Sequence, residues 1–181
     1  MTLIEGSAGL DVGMVGREGM LGMQLALGVA TALLHAVVQG AGAAWRIDAR
    51  VFRSELARGT ALQRTLNRCV VVLMAQLAAS AACLRFHLIS PRLARWLLMS
   101  QDRAYADSFR VTHEFLAYTL GVYPVGITNA AGALQRSGLI AYRRGDLTVL
   151  DRSGLEAAAS GCHVADCKAY AEMPHRNSGG R

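Results

Sequence analysis

The sequence predicts an α+β fold, and three observations carry that prediction. Apolar residues recur every third or fourth position from Ala61 to Leu84, the spacing of one helical stripe. Two shorter helical patterns meet at Gly121. Two alternating runs, Leu139–Tyr142 and Leu147–Leu150, flank Arg143-Arg144-Gly145-Asp146 as a hairpin would.

Hydrophobic residues make up 52% of 181 positions, enough to build a packed core and too many for a disordered chain. The formal net charge of +6 favours a polyanionic partner, either nucleic acid or an anionic membrane surface. Of the four cysteines, Cys69 and Cys83 fall inside apolar helical patterns, where a free thiol behaves as a small hydrophobe. Met1-Thr2-Leu3-Ile4-Glu5 lacks the basic start of a secretory leader, so a reducing cytoplasm is expected. No formally charged residue lies between Glu18 and Arg46, a length that could cross a bilayer. Gly22, Gly28, Gly40 and Gly42 interrupt it and Gln24, His35 and Gln39 are polar, so a buried, strand-rich segment fits better and no membrane is expected.

Residues 1–58 read as short strands and turns ending in a helix. Gly13, Gly16, Gly19 and Gly22 mark turns, and His35–Gln39 and Ala44–Ile47 are candidate strands. Asp48 can cap a helix that runs through Phe52 and Leu56 to Arg58. Gly59-Thr60 breaks and recaps the chain. Across 59–88, Leu62, Leu66, Cys69, Leu73, Leu77, Ala81 and Leu84 make a coiled-coil-like seam, with Ala78, Ala79, Ala81 and Ala82 small enough for close approach of a partner helix.

Residues 89–152 carry the most specific pattern. Ser90 is placed to cap a helix with Pro91 at its first position, and Leu93, Ala94, Trp96, Leu97 and Leu98 form its buried face. Asp102 to Arg110 is a polar break. Thr112 caps a short helix ending at Leu120-Gly121, and a second runs from about Tyr123 to Gln135, closed by Gly138. Small Ala117 allows the helices to cross closely, Gly121 supplies a positive φ, and Ile127 locks the second helix onto the first. With the following hairpin this is a winged helix-turn-helix. Over 153–181 a last short helix is capped by Asp151, and the tail from Lys168 to Arg181 reads as disordered.

A winged helix-turn-helix presents the start of its second helix to a DNA major groove. The residues there are Tyr123, Pro124, Val125 and Gly126, with Thr128 and Asn129 one turn on. Asn129 can contact adenine bidentately, and Tyr123 and Thr128 can reach phosphate or a thymine methyl. His113 and the free amides at Thr112 can hold a phosphate, and Arg143 and Arg144 on the wing can do the same. No arginine stands at the helix start to read guanine. Residues 90–150 hold seven Arg against four Asp and Glu, the required sign. The sequence shows no Gly-x-Ser-x-Gly elbow, phosphate loop or paired-carboxylate cluster, so no catalysis is expected.

These residues resemble the Crp/Fnr family of bacterial regulators. Ser90–Leu98 is similar to the helix that opens that family's DNA-binding domain. Thr112–Ala117 with Leu120–Val122 is similar to its helix-turn-helix, and Gly132–Ile140 with Tyr142–Gly145 to the recognition-helix end and wing. Val12–Met20 resembles the later part of the cyclic-nucleotide-binding-like β-roll, which would make 1–58 a partial, N-terminally truncated roll. The resemblance implies that 59–88 is a dimerisation helix. It also implies that the partners are double-stranded DNA, a second copy of the chain and RNA polymerase. Where the family's nucleotide binders carry Gly-Glu-Leu and a later Arg, this chain has Gly22-Met23-Gln24-Leu25 and Leu34-His35, so no nucleotide is expected. The cysteines do not match the N-terminal cluster of the iron–sulfur members. Cys162-His163 and Asp166-Cys167 do not make a usual zinc spacing, so no metal or other cofactor is expected. Pro124, Val125 and Asn129 stand where many members have Arg or Glu. This leaves an alternative, an interaction module whose DNA contacts have weakened.

Overall fold

A computed structural model describes residues 10–17, 19–159 and 161–171. The main elements in chain order are α1 (Ala49–Arg58), α2 (Thr60–Phe86), α3 (Ile89–Ala104), β1 (Ser108–Arg110), α4 (His113–Leu120), α5 (Pro124–Arg136), β2 (Ile140–Arg143), β3 (Asp146–Val149), α6 (Arg152–Ala158) and α7 (Gly161–Ala171). A short 3-10 turn, Met23–Leu27, precedes them.

The core gathers around α3. Leu93, Leu97 and Leu98 of α3 meet Leu116 of α4, Ile127 of α5, Ile140 and Leu147 of the sheet and Leu155 of α6, all fully buried. Trp96 packs edge-on against Phe109 and Phe115, at centroid distances of 6.4 and 6.3 Å, geometry that suits the aromatic quadrupoles. α3 starts one residue before Ser90, with Leu88 at the cap, so Pro91 sits inside the first turn. Proline is tolerated there because first-turn N–H groups have no intrahelical partner. The extra residue, Ile89, packs against α5.

Several expected boundaries hold at atomic detail. The Asp48 carboxylate accepts from the Arg50 amide at 2.8 Å, Thr112 Oγ1 from the Phe115 amide at 3.2 Å, and Asp151 Oδ1 from the Gly154 amide at 3.0 Å. Gly121 and Gly138 adopt φ of 62° and 72°, as their places after α4 and α5 require.

Three expectations need correction. The polar break Asp102–Arg110 is the end of α3 followed by β1, which pairs antiparallel with β3 to give a three-stranded sheet of order β1-β3-β2. The alternation Ser108-Phe109-Arg110-Val111 is the strand signal: Phe109 and Val111 turn inward between exposed neighbours. His35–Gln39 and Ala44–Ile47 form no strand; Gln39 Nε2 donates instead to Asp11 Oδ2 at 3.3 Å. Residues 11–14, where the segment that resembles a β-roll begins, are hydrogen-bonded to the helices. The Asp11 amide bonds Thr119 O at 2.7 Å and the Met14 amide bonds Gln76 Oε1 at 3.2 Å. Finally, Lys168–Ala171 belongs to α7, a helix packed along α2. The expected disorder beyond it lies outside the described residues.

α2 is 27 residues long and two-faced. Leu66, Cys69, Val72, Gln76 and Cys83 are buried, with Met23, Met20, Ala169 and Tyr170 packed around the middle of that side. Val71 and Met74 are 63% and 62% exposed on the opposite side, and Leu77 and Leu84 are partly exposed at its edge.

Candidate nucleic-acid interface

α4 and α5 are held by three features that the sequence supplies. Ala117 is buried at the crossing, Ile127 is fully buried between the helices, and Gly121 turns the chain through a left-handed residue. The Val122 amide closes the turn on Ala117 O at 3.0 Å. This leaves the start of α5 projecting from the domain. Tyr123 and Val125 are 83% and 65% exposed, and Thr128 and Asn129 are exposed one turn later.

The expected contact residues separate into two groups. Tyr123, Val125, Thr128, Asn129, Arg143, Arg144 and Thr112 are on the surface. Gly126 is half-buried: a Cβ there would stand 2.7 Å from Ile89 Cδ1, so the missing side chain lets α5 approach α3. His113 is also engaged within the domain. Its ring stacks on Tyr142 of β2 at 4.5 Å, and Nδ1 lies 3.1 Å from Thr128 Oγ1 of α5. Thr128 Oγ1 donates to Pro124 O at 3.2 Å, so it accepts from a His113 Nδ1–H. Nε2 is buried with no partner among the described residues. The Tyr142 hydroxyl donates to Val111 O at 2.8 Å; burial first, then the Glu114 carboxylate, pushes this phenol above its ordinary pKa, so it stays a donor. His113 and Tyr142 thereby fix the angle between α5 and the wing.

The wing is a two-residue hairpin. Arg143 pairs in register with Asp146, and Arg144 and Gly145 between them have φ of 54° and 89°. Two consecutive positive φ values make this a type I′ turn, whose twist matches that of the strands. It holds both wing arginines in solvent. Of the seven arginines in 90–150, three are committed inside the molecule. Arg92 donates to Leu120 O, Arg95 is paired with Asp166, and Arg103 donates to Met14 O and Met99 O. Exposed arginines remain at Arg110, Arg136, Arg143 and Arg144. Arg110 escaped the sequence reading because its position beside the wing follows from β1 pairing with β3, Arg110 opposite Asp146.

The model of the Crp-like helix-turn-helix domain matches residues 91–158, the span from α3 through α6. The chain carries a Crp-like helix-turn-helix domain. Solved structures with the same fold include a Crp/Fnr-family regulator from Eubacterium rectale, 23% identical with a TM-score of 0.50, covering 64% of this chain and 53% of that one. A Crp/Fnr-family regulator from Thermus thermophilus is 24% identical with a TM-score of 0.52, covering 56% and 55%. A CooA mutant from Carboxydothermus hydrogenoformans is 17% identical with a TM-score of 0.52, covering 62% and 56%. The chain thus spans about half the length of the structures it matches. No curated protein matches its sequence.

Proposed function

We propose that this chain is a cytoplasmic, DNA-binding transcription regulator without catalytic activity, working as a homodimer. The observation that supports it most is the shared exposure of the α5 start and the type I′ wing, held at a fixed angle by His113 and Tyr142. In this reading α5 enters the major groove, with Asn129 able to reach adenine and Tyr123, Val125 and Thr128 beside it. Arg143 and Arg144 reach phosphates flanking the groove, joined by Arg110 from the next strand. The Thr112-capped start of α4 meets backbone phosphate.

The apolar outer face of α2 supports dimerisation. α2 is long and apolar enough to cross a membrane, with only 22% of its most apolar stretch buried within the molecule. Its uncharged run from Cys69 to Leu84 is shorter than the roughly 20 residues a span needs. A second copy covering Val71, Met74, Ala78 and Ala81 accounts for the exposure better. RNA polymerase is a further partner in this reading.

The test is selection of bound duplexes from a randomised DNA pool. An inverted repeat with half-sites about 10 base pairs apart is expected from a two-fold dimer. Bound duplexes without a consensus would favour the second reading, an interaction module with weakened contacts. Apolar Val125 and Pro124 at the exposed α5 start support that reading.

A further inference from the structure

We propose that Asp102, His163 and Cys167 form a binding site for a single borderline divalent cation of the zinc and cobalt class, on the side of the domain formed by α3 and α7. The inference does not depend on DNA binding. His163 and Cys167 are four residues apart on α7, so both face one side of that helix. Asp102, on the last turn of α3, completes the set from 61 positions away in sequence.

The three potential ligand atoms are clustered. Asp102 Oδ2 lies 3.1 Å from His163 Nε2, Cys167 Sγ lies 3.6 Å from the same nitrogen, and the three ligand atoms all lie within 4.8 Å of one another. Around an ion with metal–nitrogen and metal–oxygen bonds of about 2.0 Å and a metal–sulfur bond of about 2.3 Å, tetrahedral edges are about 3.3 Å for N–O and about 3.6 Å for N–S. The N–O edge is close to its bound length; Sγ, 3.6 and 3.9 Å from the two ring nitrogens, lies beside the ring, so binding requires exposed Cys167 to rotate until Sγ faces the Nε2 lone pair. A thiolate, an imidazole and one carboxylate oxygen select zinc or cobalt over magnesium or calcium, which prefer all-oxygen sites.

The surroundings are arranged for ligation. His163 is 3% exposed, so its ring is held in place. Arg152 Nη2 donates to the other Asp102 oxygen, Oδ1, at 2.7 Å, and Glu156 balances Arg152 with an Nε–Oε1 contact of 2.9 Å. That pairing orients the carboxylate with Oδ2 toward His163 Nε2, and a bound cation takes the place of the proton between those two atoms. The neighbouring candidates are spoken for: both Asp166 oxygens accept from Arg95, at 2.6 and 3.0 Å. Binding releases the Cys167 thiol proton to solvent and requires neutral His163 with its proton on Nδ1. Exposed Cys167 leaves a fourth position for water.

Cobalt(II) is the probe. The reduced full-length chain, stripped with chelator, is titrated anaerobically and followed by absorption. A thiolate-to-cobalt charge-transfer band saturating at one equivalent is expected. It should disappear in Cys167→Ser, whose site is exposed and whose fold should be intact by circular dichroism. Cys162→Ser should keep it, and Asp102→Asn should weaken apparent affinity about 10-fold or more. Absence of a band at one equivalent, a band that survives Cys167→Ser, or one lost with Cys162→Ser would each overturn the proposal.

Discussion

Single side chains decide how the ends of the helices are closed. Asp151 accepts hydrogen bonds from the Gly154 amide and the Ser153 hydroxyl, which hold its carboxyl below the usual carboxylate range. A depressed pKa means the cap contributes stability above the ordinary value near 3.8 and loses it as pH falls through the lower folded value. An NMR titration of the Asp151 side-chain carbon should therefore show a midpoint below 3.8; a midpoint at or above it would show that the cap does not form. Thr112 does the same work for α4 without a charge. Thr112→Ala should cost about 1 kcal/mol in denaturant unfolding, with an unchanged slope. Burial, then the neighbouring Cys162 thiol, pushes Cys83 up to about 11, which accounts for a thiol that packs as a hydrophobe.

Among the elements, those that local chemistry specifies were legible in the sequence and those that depend on distant partners were not. Caps at Asp48, Thr112 and Asp151, the Gly121 turn and the 139–150 hairpin each carry their own signal within a few residues. β1 did not, since three residues become a strand only when β3 lies beside them. His35–Gln39 failed in the opposite direction: a strand-like composition stays irregular where no strand pairs with it among the described residues. The candidate interface divides likewise. Exposure at Tyr123 and Asn129 follows from helix geometry, whereas the inward roles of Gly126 and His113 depend on Ile89 and Tyr142, contacts no spacing reveals. The wing turn offers a sharp test at this scale. Arg144 holds a left-handed conformation that costs most residues about 1 kcal/mol and asparagine much less. Arg144→Asn should raise stability by about that amount. An unchanged or lowered unfolding midpoint would mean that the turn is not type I′.

At the scale of the molecule, a buried network links the parts. Arg95 of α3 bonds Asp166 of α7 and Ser80 of α2, so the helix-turn-helix domain and the long helix are tied at one guanidinium. Asp11 and Met14 add bonds to the end of α4 and to α2, so the start of the segment that resembles a β-roll serves here as a strap. The exposed apolar residues Val71 and Met74 of α2 lie outside the buried core clusters. Replacing Met74, which is exposed and lies outside the buried core clusters, by Glu should convert a dimer to a monomer in sedimentation equilibrium without lowering the helix content. Retention of the dimer would move the interface elsewhere.

The most direct measurement of the central claim is binding to duplex DNA across salt concentration. Binding should be firm near roughly 50 mM salt and fall linearly in log–log terms, by about 0.9 in slope for each phosphate contact. The Arg143→Ala, Arg144→Ala double variant should lower both affinity and slope, by about 0.9 for each arginine lost from the complex. No binding at low salt, or a double variant with the slope of the unaltered chain, would contradict the placement of the helix-turn-helix and its wing on DNA.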